Sequence, residues 1–321
     1  MDSSWKTVYY AIQAEKAGFD HLWVTDHFYN RNLWVTLSLA ANYTSRIRLG
    51  PAATNPYLCH PVLTAQAIST LNDFASGRVV CGVGRGDYTT LKMLGVKQRR
   101  PLSAVRETVQ IIRSVTRGKP TAIMGRVFEM PEVKPNFKCL NPVPVYVAAQ
   151  GPMMLALAGE IGDGVLIDSS HPDEVSSSVK CVEESLQLSH KKRGEFDLAA
   201  YTISSIDEDP SEAEKAVRHV VAFVVAGSSP QILERHGITV DESSRIRDLL
   251  VRERWSEALS RVTPQMISAF SICGTPKTVL ERYAQLSKSG VTQIVVGSPI
   301  GPMVKKSIEL VRRAVLPHLD S

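Results

Sequence analysis

The sequence lacks the features of membrane, disulfide-stabilised and zinc-binding proteins. Its longest apolar run, residues 220–226, is far too short to cross a bilayer, and the start shows no charged segment followed by an apolar one. The five cysteines lie far apart, without a C-x-x-C pair or a neighbouring pair of histidines. We therefore expect no membrane association, no metal site and a reducing compartment, the cytoplasm.

The charge pattern lacks the basic stripe of a nucleic-acid-binding protein. The 321 residues include 37 basic and 32 acidic ones, a net charge of +5, and the basic residues form short scattered clusters. This pattern favours a small anionic ligand over nucleic acid. With 44% apolar residues and no Pro- or Ser-rich hinge, the chain can form one large core.

Short β-branched segments alternate with amphipathic ones, which predicts an α/β fold with buried parallel strands. The predicted strands are His21–Thr25, Arg46–Gly50, Arg78–Val83, Val143–Ala149, Gly164–Asp168, Leu198–Ile206 and Thr292–Gly297. A series of seven or eight such β-α units favours a TIM-like (β/α)₈ barrel, formed by residues 1–321 as a single domain.

Two insertions interrupt this barrel pattern, and the seven predicted strands are one fewer than a closed barrel needs. Residues 121–137 are typical of a hairpin or bulge, and residues 227–272 of a helical insertion that forms a subunit contact or a lid. Closure needs eight strands, yet a helix already precedes His21, so the first strand is apparently missing. Either the barrel is open there, another segment fills the gap, or the chain starts downstream of its natural beginning.

Candidate site residues follow the predicted strands, because the chemistry of such barrels lies at the carboxyl ends of the strands. Asp26 and His27 follow the first predicted strand and could relay a proton; alternatively, Asp26 caps the next helix and His27 packs. Thr54 and Asn55 follow the next strand and offer hydrogen bonds beside small residues, although Asn-Pro is first of all a turn signal.

Two glycine-containing segments follow later strands. Residues 82–87 resemble the dinucleotide fingerprint G-x-G-x-x-G, but the third glycine is one position early. They are also not followed at once by a helix that carries an acidic residue about 20 positions on. Two alternatives remain. The segment is either a loop that lets a cofactor approach the backbone at Gly84, with Asp87 as a proton-exchanging group, or a plain tight turn. Gly151 opens the predicted helix Pro152–Ile161, which makes either a phosphate site at a helix N-terminus or an ordinary helix start.

Several strings of residues resemble a known family. AGFDHLWVTDH at 17–27, LGP at 49–51, TNP at 54–56 and SGR at 76–78 are similar to the bacterial-luciferase-like superfamily. AAQGP at 148–152, ERHGI at 234–238, AFSI at 269–272 and VTQIVVGSPIGP at 291–302 resemble, more narrowly, the methylenetetrahydromethanopterin reductases of archaea. The resemblance extends over nearly the whole chain.

This resemblance implies an oxidoreductase that uses coenzyme F420, a deazaflavin, and transfers a hydride to a tetrahydromethanopterin-type substrate in one-carbon metabolism. It implies no metal. By position, Asp26, His27 and Asp87 are the implied catalytic residues, and Ala52-Ala53 is the implied non-prolyl cis peptide behind the ring. The implied coenzyme-binding residues are Ala52, Ala53, Thr54, Asn55, Gly84, Ala149, Gln150, Gly151 and Pro152.

The resemblance also implies a homodimer or homotetramer, and a glutamate at the end of the first strand. Because that strand is not predicted here, Asp26, His27 or Asp87 would have to supply the acid, or catalysis would be impaired. The other hypotheses are a different luciferase-like F420-dependent dehydrogenase, an FMN monooxygenase, and a member that has lost catalysis and serves in binding or assembly.

Overall fold

The alternating segments form parallel strands and helices in a computed structural model, which describes residues 4–319. The strands are β1 (His21–Val24), β2 (Arg48–Pro51), β3 (Cys81–Val83), β4 (Thr121–Met124), β5 (Glu129–Val133), β6 (Val145–Ala149), β7 (Gly164–Asp168), β8 (Asp197–Ile206), β9 (Ile272–Gly274) and β10 (Gln293–Ile300). The helices are α1 (Ser4–Ala17), α2 (Leu33–Tyr43), α3 (Pro61–Phe74), α4 (Tyr88–Met93), α5 (Pro101–Thr116), α6 (Pro152–Ile161), α7 (Pro172–Leu188), α8 (Pro210–Gly227), α9 (Pro230–Arg235), α10 (Val240–Val251), α11 (Trp255–Ser260), α12 (Pro264–Phe270), α13 (Pro276–Ser287) and α14 (Val304–Ala314).

Each predicted strand is present, with small shifts of its ends. Within residues 4–319, helix α1 is the first element and β1 follows it, so the missing first strand stays a prediction. Among these residues, no helix combines the length and apolar character that a membrane crossing requires. The chain divides into two compact units, one with residues up to Ile167 and Lys180–Leu198, the other with Asp168–Val179 and the residues from Ala199 onward.

The first unit contains two groups of parallel strands. β1 pairs with β2 over its full length, while β6 pairs with β3 on one side and β7 on the other. Bridges between Leu49 and Val79 and between Thr54 and Val83 join β2 to β3. Because all these pairs are parallel, the carboxyl ends of β1, β2, β3 and β6 lie along one edge.

Two glycines allow β2 and β3 to approach closely. A Cβ atom on Gly50 would lie 2.2 Å from the carbonyl oxygen of Val80, and one on Gly82 would lie 2.2 Å from that of Pro51. Since backbone atoms cannot yield without moving a strand, any larger residue at either position would separate the two strands.

A carboxylate fixes the segment that enters β2. Glu15, in α1, accepts hydrogen bonds from the backbone N–H groups of Ser45, Arg46 and Ile47, at 2.9, 2.6 and 2.9 Å. Burial raises the pKa of Glu15, but these hydrogen bonds outweigh burial and hold the pKa below its ordinary value. The ionised side chain therefore stabilises the contact between α1 and the start of β2.

The predicted hairpin in residues 121–137 is confirmed, since β4 and β5 pair in antiparallel orientation. Its turn is held by the buried carboxylate of Glu107, in α5. The two Glu107 oxygens accept hydrogen bonds from the backbone N–H groups of Arg126, Val127 and Phe128, at 2.7, 3.1 and 2.8 Å. The three hydrogen bonds compensate for the burial of this carboxylate, and they fix the turn against α5.

In the second unit, β8 pairs in parallel with both β10 and β9. Strand β9 is not predicted from the sequence, because a strand of three residues shows no alternation that distinguishes it from a turn. The segment 227–272 is helical as predicted: α9 to α12 pack with α8 around a shared apolar cluster. The cluster includes Val217, Val221, Ile246, Met266 and Phe270.

A buried histidine–carboxylate pair joins this helical insertion to the first turn of α7. Nε2 of His236 lies 3.0 Å from Oε1 of Glu174, and the ring of His171 lies 5.0 Å from that of His236. Ser169 donates a hydrogen bond to the other oxygen of Glu174, at 2.8 Å. This network accounts for the ERHGI string, whose histidine is a packing and hydrogen-bonding residue.

Candidate active site

The first polar group at the strand edge is Asp26, which follows β1. Its Oδ2 accepts a hydrogen bond from the hydroxyl of Thr54, at 2.8 Å, and Thr54 is fully buried at the end of β2. The alternative that Asp26 caps the next helix is wrong. Helix α2 is capped instead by Asn32, whose side chain accepts from two backbone N–H groups of the first turn.

His27 lies beside Asp26 and faces a second carboxylate. Burial lowers the pKa of its imidazole, while the negative charges of Asp87 and Asp26 act in the opposite direction. The ring stacks on Tyr29, with centroids 5.0 Å apart and planes 10° apart. Within residues 4–319, its buried Nδ1 atom has no hydrogen-bond partner. His27 is therefore a neutral, half-buried imidazole whose Nδ1 atom is buried and unpartnered among these residues.

The peptide bond between Ala52 and Ala53 is cis, which confirms that expectation. On one side of this bond, Ala52 donates a hydrogen bond to the carbonyl of Val24, at 2.9 Å. On the other side, Thr54 donates to the carbonyl of Gly82 and accepts from the N–H of Gly84, at 3.0 and 2.8 Å. The small side chains at 52 and 53 are thus held on backbone anchored to β1 and β3.

Asn55 is buried and its amide oxygen is already engaged. Oδ1 accepts hydrogen bonds from the backbone N–H groups of Tyr57 and Leu58, both at 3.1 Å. This arrangement confirms the turn interpretation of the Asn-Pro pair. Contact between Asn55 and a coenzyme stays a prediction.

Gly84 brings the ends of three strands together. A Cβ atom placed on it would lie 3.2 Å from the Cβ atom of Ala148 and 3.5 Å from that of Ala53. Because these residues carry little or no side chain, the ends of β2, β3 and β6 approach one another closely at the level of the backbone. We call Ala52, Ala53, Gly84 and Ala148 the small-residue wall.

Asp87 follows this wall and caps a helix, α4, that was not predicted from the sequence. Its Oδ1 accepts a hydrogen bond from the backbone N–H of Thr90, at 2.7 Å, which caps α4. Six residues are too few for a helical period to show in sequence. The side chain of Asp87 remains exposed, so the cap leaves room for a second role.

Helix α6 begins at Pro152, as predicted, with Gly151 as its N-cap. Gly151 is exposed, makes no side-chain cap, and has open space within 4 Å of the position of an added Cβ. Of the neighbouring predicted residues, Ala149 is buried, while Gln150 is half-buried. An uncapped helix N-terminus that faces open space fits an anionic group.

Sequence reasoning missed two aromatic residues at this edge. Tyr29 stacks on His27, and both burial and the charge of Asp87 raise its pKa. Tyr57 donates a hydrogen bond to the carbonyl of Arg99, at 2.8 Å. The available signal for Tyr29 was the pair of aromatic residues that directly follows Asp26-His27.

Comparison with known proteins identifies the family. The family model of luciferase-like monooxygenases matches residues 5–293. The chain belongs to the luciferase-like family. Within that family it is 45% identical to the 5,10-methylenetetrahydromethanopterin reductase of Archaeoglobus fulgidus, over 97% of this chain and 95% of the relative. It is 40% identical to the reductase of the same name from Methanopyrus kandleri, over 95% and 92% of the two chains.

A solved structure in the family confirms the predicted fold. The coenzyme F420 dependent tetrahydromethanopterin reductase from Methanopyrus kandleri superposes with a TM-score of 0.91 and 38% identity, over 99% of this chain and 96% of the other. The luciferase-like TIM barrel predicted from the sequence is therefore the fold of this chain. The roles of its individual site residues stay predictions.

Proposed function

We propose that this protein transfers a hydride from reduced coenzyme F420 to methylenetetrahydromethanopterin. The names of its reductase relatives support this reaction, and the geometry of the strand edge supports the coenzyme. The observation that carries the coenzyme assignment is the uncapped N-terminus of α6 at Gly151, which opens into free space at the same strand edge as the small-residue wall.

The described residues fit a planar coenzyme with an anionic tail. The small-residue wall carries no side chain larger than a methyl group that would hold a ring away from the backbone. The free space at Gly151 can take a phosphate, stabilised by the positive end of the helix dipole. Ala149, Gln150, Gly151 and Pro152 would hold the phosphate, and Ala52, Ala53, Thr54, Asn55 and Gly84 would lie along the ring.

Reduced coenzyme F420 supplies a hydride when bound, so the protein has to orient two rings, exclude water and supply an acid. Opening of the substrate's five-membered ring requires a proton at the departing nitrogen. Since burial favours neutral His27, we assign it as a hydrogen-bonding residue and not as the acid. Asp26, held by Thr54, and Asp87 are the two candidate acids.

Optical titration and turnover test the proposal. We expect the protein to bind coenzyme F420 and to oxidise its reduced form when methylenetetrahydromethanopterin is added. Tight binding of FMN without a response to F420 would instead identify a flavin enzyme. Binding of F420 without any turnover would identify a member that has lost catalysis.

The role of Asp26 can be separated from its structural contact. Asp26→Asn keeps a hydrogen-bond acceptor for Thr54 but removes the acid, and we expect kcat to fall about 100-fold or more with little change in the Kd of F420. Thr54→Val is the matched control, because it removes the hydrogen bond that Asp26→Asn retains and leaves the carboxylate of Asp26 in place. An equal loss of kcat in both variants would contradict the acid role.

We also propose that residues 1–321 form a single domain that assembles as a cytoplasmic homodimer or homotetramer. Support comes from Trp5 and Tyr43, aromatic residues on α1 and α2 that touch each other and are 60% and 48% exposed. Light scattering on the purified protein measures the oligomeric state. A monomer at micromolar concentration would refute the assembly.

A further inference from the structure

A basic segment lies against the glycine-rich loop that follows β3. Nε2 of Gln98 donates hydrogen bonds to the carbonyls of Arg85 and Gly86, at 2.7 and 3.0 Å. From the other side, the hydroxyl of Tyr57 donates to the carbonyl of Arg99. Two hydrogen bonds therefore fasten residue 98 to the loop, and a third fastens residue 99 to the segment after β2.

Four cations point outward from this fastened segment and loop. Arg85, Lys97, Arg99 and Arg100 are all exposed, and we call them the basic surface. The positive charge of Arg85 acts on the hydroxyl of Tyr57, which is the group that holds the carbonyl of Arg99. The cations of the loop and of the segment thus lie close enough to act together.

The basic surface is not paired with acidic side chains of the described residues. Within residues 4–319, none of its four members forms an ion pair, whereas the next basic residue, Arg106, pairs with Glu160. Residues 88–106 contain no Asp or Glu. The neighbouring Asp87 already accepts a hydrogen bond from Thr90.

The following helix adds to the positive potential. Helix α5 starts directly after Arg100, with no acidic residue in its first turn and no side-chain cap. Basic residues at a helix N-terminus oppose the helix dipole, so this arrangement costs stability unless an anion binds. At physiological ionic strength the field of such a cluster reaches about 8 Å into solvent.

We propose that the basic surface binds the carboxylate- or phosphate-bearing tail of a ligand whose ring lies at the small-residue wall. The proposal rests on the proposed function, which places that ring beside Gly84. The surface is a small one carried by one loop and one short segment, which suits a flexible anionic tail. The tail belongs either to the coenzyme or to the pterin substrate.

The test removes three of the charges and compares two ends of the same helix. The variant Lys97→Gln/Arg99→Gln/Arg100→Gln keeps the backbone groups that Gln98 and Tyr57 hold. The control Arg117→Gln/Lys119→Gln/Lys138→Gln removes three exposed cations at the other end of α5, which is about 24 Å away for 16 residues at 1.5 Å each.

Binding of coenzyme F420 is compared with binding of its riboside, which lacks phosphate and glutamates, at low and high salt. If the coenzyme tail is bound, the triple variant raises the Kd of F420 roughly tenfold at low salt, with little effect on the riboside. If the substrate tail is bound, the KM of the pterin rises similarly and the Kd of F420 stays constant. The control variant should change neither constant.

Tetraglutamate gives a readout that does not depend on turnover. Wild type should bind it in a salt-dependent manner and the triple variant should bind it more weakly, even if the pterin proves not to be the substrate. Equal effects of the variant and its control, an equal loss of riboside binding, or unchanged constants throughout would overturn the proposal. Normal wild-type turnover alongside any of these results would leave the proposed function intact.

Discussion

Substitution of Gly151 by Asp separates the stability of α6 from its ability to bind an anion. An Asp at this N-cap position accepts a hydrogen bond from the first turn, and Gly is only a few tenths of a kcal/mol poorer as a cap. The backbone at Gly151 has φ −86° and ψ 155°, and no atom lies within 4 Å of the added Cβ. We therefore expect the free energy of unfolding to stay constant or to rise slightly.

Binding of the coenzyme should change in the opposite direction. Two unit charges about 5 Å apart repel by about 1–3 kcal/mol for an effective dielectric constant between 80 and 20. The carboxylate introduced by Gly151→Asp is thus expected to raise the Kd of F420 roughly 5- to 150-fold. Equilibrium titration of absorbance or fluorescence measures this constant, and chemical denaturation measures the stability of the same samples.

Gly151→Asn is the matched control, because Asn has nearly the same shape and capping ability but no charge. It should bind F420 almost as wild type does, and the riboside without phosphate should bind equally to all three proteins. If Asp and Asn weaken F420 binding to the same extent, the phosphate does not lie at this helix end, and the reasoning from the open N-terminus fails.

Three further predictions concern other residues of the first unit. Asp87→Asn should lower kcat about 100-fold or more if Asp87 is the acid, while the melting temperature stays constant because Asn also caps α4; equal losses of both would indicate a structural role. Glu15→Gln should lower the free energy of unfolding by about 1–3 kcal/mol at pH 7. Because the folded pKa of Glu15 lies below 4.5, wild type should lose this stability as the pH falls through that lowered pKa, which urea unfolding between pH 3 and 7 would show. Burial raises the pKa of Cys81 to about 12, so the folded protein should resist alkylation there at pH 8; rapid labelling in a peptide map would contradict this.

The repeated pattern of the chain predicts most of its strands, because buried parallel strands are apolar throughout and end at polar or small residues. It also predicts the start of α6, where a Gly-Pro pair is a local signal. It fails at β9 and α4, which have three and six residues and thus no visible period.

The candidate site also has a part that the sequence predicts and a part that it does not. The position of each group after its strand is predictable, since parallel strands bring their carboxyl ends to one edge. The contact between Asp26 and Thr54 is not, because it joins residues 28 positions apart and depends on how β1 and β2 are aligned. The same holds for Tyr57 and Arg99, whose hydrogen bond arises from packing of two loops.

The turn of the β4–β5 hairpin is held by a contact between a side chain and the backbone, which leaves little trace in the sequence of the turn. Glu107 recognises three main-chain N–H groups, so this contact does not depend on the side chains at 126–128, whereas proline at any of the three would delete a donor. The neighbouring Gly125 has no such freedom, because an added Cβ would lie 2.3 Å from a Glu107 oxygen. We therefore expect homologues to differ in residue type at 126–128, to keep the acid at 107 and the glycine at 125, and to have no proline in the turn.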